Sequence, residues 1–65
     1  MSRDWKVDGY DRDGAYIFSY AETKEEAVAF WTLCKMRGCY DLDLYRRLRN
    51  GMYVPLPEFT TEDRT

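Results

Sequence analysis

Apolar and polar residues alternate with a strand-like period along most of this chain, and one segment switches to a helical period. WKVDGY, from Trp5, and AYIFSYA, from Ala15, read as two strands joined by DRDG, a cluster of turn formers. A connection that pairs Tyr10 with Ala15 sets Val7 opposite Phe18 and Trp5 opposite Tyr20. Trp5, Val7, Tyr16, Phe18 and Tyr20 then share one face, expected to be the core. Lys6, Asp8, Tyr10, Ala15, Ile17 and Ser19 share the other.

TKEE opens a helix. Thr23 is the expected N-cap, and Glu26, three residues on, completes a capping box. The helix is expected to run to about Arg37, with Gly38 as the left-handed residue that ends it. Ala27, Phe30, Trp31 and Cys34 fall on one face at helical spacing and are expected to cover the sheet.

YDLDLYRRLRNGMYVPL reads as a second hairpin in which Tyr40, Leu42, Leu44 and Leu48 share a face. A two-residue turn at Asn50-Gly51 would leave Met52, Val54 and Leu56 facing solvent. A three-residue loop, Arg49-Asn50-Gly51, with Gly51 left-handed, instead pairs Leu48 with Met52, Arg46 with Val54 and Leu44 with Leu56. The helical crossover makes the third strand parallel to the second and antiparallel to the first. The expected fold is α+β: a ββαββ unit with a four-stranded antiparallel sheet, order 2-1-3-4, and one helix on one face. Residues 1–59 form one domain, with Phe59 a candidate for docking, and the polar tail 60–65 is expected to fray.

Sixty-five residues allow one domain, and a chain of this size buries only about 60% of its unfolded surface. Eleven aromatic residues offset that limit, since each can bury ~150–250 Å². No apolar run is long enough to span a bilayer, and MSRDWKVDGY lacks the apolar stretch of a signal peptide, so a cytoplasmic location is expected. The net charge of −2 is unevenly spread. Residues 1–26 hold seven acids and four bases, whereas residues 44–57 hold Arg46, Arg47 and Arg49 and no acid. Such asymmetry bears on partner choice.

Catalytic chemistry is sparse. Without histidine the chain lacks the usual general base and the commonest metal ligand. Cys34 and Cys39 lack the paired spacing of a zinc site. They occupy the two positions that touch in a Schellman cap, so they read as reduced structural thiols. Asp41 and Asp43 alternate along a strand and read as a solvated face. No glycine-rich phosphate loop is present. Neither enzymatic activity nor a metal or cofactor is expected.

Surfaces carry the remaining signal. Ala29, Leu33 and Met36 form a second apolar stripe on the helix, a candidate self-association surface. The open sheet face is expected to show Tyr10, Ile17, Tyr45 and Tyr53 among Lys6, Arg47 and Arg49, with Asp8, Asp41 and Asp43 alongside. Arg46 occupies an inward position that the helix is not expected to reach, so its guanidinium should be free at a hairpin tip with Arg47 and Arg49. Arginine offers planar, bidentate pairing with carboxylate or phosphate. Arg46, Arg47, Arg49, Tyr45 and Tyr53 are therefore the expected partner-binding residues.

The favoured reading is a non-enzymatic module that occludes or bridges a partner protein with an acidic patch. Alternatives are a nucleic-acid-binding accessory protein using the tyrosine and arginine face, and a structural homodimer. In size, acidity and lack of catalytic chemistry the chain resembles the small single-domain proteins with which phages block host defence systems, anti-CRISPR proteins among them. That resemblance implies inhibition of a host protein and assigns no site residue.

Overall fold

The computed structural model describes residues 3–61. Its elements are strand β1 (Trp5–Tyr10), strand β2 (Tyr16–Ala21), helix α1 (Lys24–Met36), strand β3 (Tyr40–Arg47), strand β4 (Tyr53–Pro55) and a 3₁₀ turn (Pro57–Phe59). The four strands form one antiparallel sheet in the order β2-β1-β3-β4, and α1 packs across one face. The fold is thus the α+β ββαββ unit.

Both helix ends follow from local chemistry. Thr23 Oγ1 accepts from the Glu26 N–H at 3.2 Å. The Glu26 carboxylate reaches back to the Glu22 N–H, at 3.1 Å, one residue before the cap that a capping box would engage. At the other end Gly38 adopts φ +88. Cys39 N–H donates to Cys34 O and Gly38 N–H to Lys35 O, which completes a Schellman motif. Both thiols are free.

The two hairpins turn by the same device. In the second, Leu48 N–H donates to Met52 O at 2.7 Å, Gly51 N–H donates to Leu48 O, and Gly51 has φ +88. The register is the expected one, with Arg46 opposite Val54 and Leu56 N–H bonded to Leu44 O. The first hairpin repeats this loop at Arg12-Asp13-Gly14. Asp11 N–H donates to Ala15 O, Gly14 N–H donates to Asp11 O, and Gly14 has φ +90. The Asp11 carboxylate also accepts from the Asp13 and Ala15 amides.

This loop overturns the expected register of the first hairpin. Asp11, not Tyr10, pairs with Ala15, so Tyr10 lies opposite Tyr16, Val7 opposite Ser19 and Trp5 opposite Ala21. A shift of one residue moves a whole strand's side chains to the opposite face. Tyr16, Phe18 and Tyr20 therefore leave the core face and are 52%, 55% and 38% exposed. Ile17, expected on the open face, takes the helix side beside Phe30, Leu33 and Cys34.

A bulge in β3 makes a second correction. The pairing of β1 with β3 shifts between Asp8–Asp43 and Tyr10–Tyr40, and Asp41 takes φ +53 at the extra position. Tyr40 consequently lies opposite Tyr10, on the open face, and does not share the face of Leu42 and Leu44 as alternation alone predicts. Gly9 faces the bulge. A Cβ there would lie 2.7 Å from Leu42 Cδ2 and 3.0 Å from Tyr40 O, so only glycine allows the close approach.

The core is accordingly small and largely aliphatic. Val7, Ala27, Leu42 and Leu44 are essentially inaccessible, and Cys34 is buried. Trp5, Phe30, Trp31, Leu56 and Phe59 pack around it half-buried. The C-terminal segment is tied down further than expected. Trp31 Nε1–H donates to Phe59 O at 2.7 Å, with the two rings edge to face at 5.4 Å. Beyond β4, Thr61 satisfies both backbone groups of Leu42: its N–H donates to Leu42 O and its Oγ1 accepts from Leu42 N–H. Thr60 Oγ1 donates to Asp43 at 2.8 Å. Thr60 and Thr61 thus belong to the folded unit, and the rest of the expected tail, 62–65, lies outside the described residues.

Candidate functional site

The open face of the sheet carries all six tyrosines of the chain and Phe18. Five ring contacts join six of these residues in a line: Tyr40 to Tyr10, Tyr10 to Tyr16, Tyr16 to Phe18, Phe18 to Tyr20 and Tyr20 to Tyr53, with centroids 5.7 to 5.9 Å apart. Lys6 stands among them. Its ammonium lies 5.5 Å from the Tyr45 ring centroid, 5.9 Å from Tyr53 and 6.0 Å from Phe18. The Arg3 guanidinium lies 5.0 Å from the Tyr20 centroid. Cations over ring faces are held by the ring quadrupole.

Both carboxylates on this face are engaged internally. Asp8 accepts from the Tyr16 hydroxyl at 2.9 Å and lies 3.8 Å from Lys6 Nζ. Asp43 accepts from Thr60. The hydrogen bond to Asp8, with desolvation behind it, raises the Tyr16 pKa above its ordinary value. Burial, then the charges of Asp8 and Asp43, push the Tyr45 hydroxyl strongly upward. Both phenols are therefore neutral donors at ordinary pH.

The second part of the site is the β3–β4 hairpin end. Arg46, Arg47 and Arg49 are all exposed there, and none forms an ion pair among the described residues. Arg46 has the parity of the buried Leu42 and Leu44, opposite Trp5 and Val54, yet it lies past the part of the sheet that carries the core. Leu48, expected to share the core face, is 40% exposed for the same reason, and Met52 is 62% exposed. With Asp4, Trp5 and Leu48 the three arginines line a shallow concavity of about 450 Å³. Arg47 lies directly opposite Tyr53, so this concavity adjoins the aromatic face. The Tyr53 hydroxyl donates to Arg3 O at 2.7 Å, which brings the N-terminal segment to the same end.

The five expected partner-binding residues thus gather at one end of the sheet. Sequence reasoning missed that Tyr16, Phe18, Tyr20 and Tyr40 extend the surface across the face. The available signal was the loop, because Arg12-Asp13-Gly14 has its glycine where Arg49-Asn50-Gly51 has its own. Asp41, expected alongside Asp43, is taken out of alternation by the bulge. On the helix, Ala29, Leu33 and Met36 are exposed, Met36 at 79%, while Ala27 and Cys34 are buried.

Among the described residues no three His, Cys, Asp or Glu side chains converge as a metal site. No described helix is long and apolar enough to cross a membrane. No family model, characterised protein or solved structure matches the chain.

Proposed function

We propose that this chain is a non-enzymatic protein-binding module that covers or bridges an acidic surface of a partner protein. The observation that carries the reading is the juxtaposition of a seven-ring aromatic face with three arginines at one end that form no ion pair among the described residues. Tyrosine and arginine are the residues that anchor protein interfaces. Asp8 and Asp43 are occupied, and Arg46, Arg47 and Arg49 outnumber Asp4 around the concavity, so the charge left to recruit a partner is positive despite the acidic whole.

Single-stranded nucleic acid is the competing occupant, and the ring geometry disfavours it. Base stacking needs free ring faces. Lys6 and Arg3 already sit over Phe18, Tyr20, Tyr45 and Tyr53. Rings as close as Tyr10 and Tyr40 or Tyr16 and Phe18 leave no gap for a base between them. The surface therefore offers edges, hydroxyls and guanidiniums. A module of this kind acts by occupying a surface, in the manner of the phage inhibitors that the chain resembles in outline.

The test is quantitative affinity capture with the wild type, the R46S/R47S/R49S variant and Tyr20→Ser, alongside titration with labelled single-stranded DNA and RNA. The expected outcome is a protein partner whose binding weakens with salt and is lost in the triple variant. Oligonucleotide binding at moderate salt that the triple variant abolishes would replace the protein reading with the nucleic-acid one.

A further inference from the structure

The two edges of the sheet are treated differently by the sequence. β4 is short, and its hydrogen-bonded pairs with β3 fall at Leu48–Met52, Arg46–Val54 and Leu44–Leu56. Pro55 therefore sits at a position turned to the open side, where it supplies no N–H, and Pro57 follows. This edge is blunted.

β2, YIFSYA, has six residues without a charge or a proline. Asp11 and Ala15 form a hydrogen-bonded pair, so by antiparallel alternation Ile17, Ser19 and Ala21 bond inward to β1. The N–H and C=O groups of Tyr16, Phe18 and Tyr20 point outward, with no strand beside them among the described residues; Ser19 Oγ donates to Tyr20 O at 3.5 Å. The edge is also apolar on both sides. One side shows the rings of Tyr16, Phe18 and Tyr20. The other shows a groove of about 430 Å³ where Ile17, Phe30 and Leu33 meet Cys34, with Leu33 43% exposed and with Asp11, Arg12 and Arg37 also in its lining. A β-prone, neutral edge flanked on both sides by exposed apolar groups is what isolated soluble sheets avoid.

We propose that a second copy of this chain pairs with the free edge of β2, antiparallel about a twofold axis at Phe18, to give an eight-stranded sheet. The outward groups dictate that register. Phe18 lies opposite its counterpart, and Tyr16 lies opposite Tyr20 of the second copy, each pair exchanging both backbone hydrogen bonds. No like charges oppose one another, because β2 has none. The same contact joins the two aromatic faces into one and brings the two helix-side grooves together, which covers Ile17 and Leu33. The occupant is a second copy because the edge is self-complementary: each copy satisfies the groups that the other leaves open, and the contact closes on itself. Self-association through the helix stripe alone would leave those backbone groups without a strand partner. The proposal does not rest on the partner reading: it uses the backbone edge of β2, whereas the partner reading uses the open face and the arginine end.

Sedimentation equilibrium over a concentration series tests it, together with amide hydrogen exchange. The expected species has twice the 7.8 kDa chain mass. The Tyr16, Phe18 and Tyr20 amides should gain protection as concentration rises. Phe18→Lys sets two cations face to face at the axis and should weaken the dimer roughly tenfold or more. Met36→Lys, the same charge away from the edge, should leave it intact. A chain that stays monomeric at the highest concentrations would overturn the proposal. So would a dimer in which those three amides exchange as freely as in the monomer, which would place the contact elsewhere. The exchange measurement needs no variant and stands even if Phe18→Lys fails to fold.

Discussion

Gly9 is the residue on which the packing of the sheet turns. Its missing side chain admits Leu42 at the point where β3 bulges, and Leu42 is wholly buried. Gly9→Ala should lower stability by about 1–3 kcal/mol through overpacking, read as a lower urea midpoint with an unchanged slope. Tyr45 governs a different property. Its neutral form is favoured in the folded state because burial and the nearby Asp8 and Asp43 oppose the phenolate. A raised folded pKa means that the native state holds its proton above pH ~10, where the unfolded chain releases it. The stabilisation is complete below that pH and is lost as pH rises further. Alkaline unfolding should begin above pH ~10, and Tyr45→Phe should flatten the decline. An equally steep decline in that variant would assign the effect to other groups.

At the scale of elements, the hairpin loops decide more than the strands they join. Gly14 and Gly51 both hold a left-handed conformation at the third loop position. Alanine at either should cost about 1–2 kcal/mol. The consequences should differ, because the first loop alone keeps Tyr16, Phe18 and Tyr20 on the open face. The helix is set by its caps. Thr23→Ala removes the acceptor for Glu26 N–H and should cost about 1 kcal/mol, measurable by thermal melting. These ends were legible because capping chemistry is local. The strand faces were not, because two candidate loops of nearly equal length put the same residues on opposite sides.

The whole molecule is asymmetric: Arg46, Arg47 and Arg49 cluster at one end of the sheet, aromatic rings run across its open face, and the helix packs on the other side. The R46S/R47S/R49S variant should melt within a few degrees of the wild type, since all three side chains are exposed and without an ion pair among the described residues. Partner binding should nonetheless fall and lose its salt dependence. A large loss of stability in this variant would mean that the guanidiniums support the hairpin itself.

The sequence by itself determined the order of elements, the antiparallel 2-1-3-4 sheet, both ends of the helix, the second loop and the arginine cluster. Each of these follows from neighbours in the chain: a capping residue, a glycine at a left-handed position, a crossover whose direction has one outcome. Tertiary structure decided which face the aromatics occupy. A period of two says that Tyr16, Phe18 and Tyr20 share a side, and it says nothing about which side the helix covers. The three-residue loop at Arg12-Asp13-Gly14 chose one side, and the bulge at Asp41 brought Tyr40 to it. The physical reason is space. α1 packs on the face carrying Val7 and Leu44, where the small side chain of Ala27 lets it approach, and the rings of Tyr16, Phe18 and Tyr20 remain exposed on the opposite face.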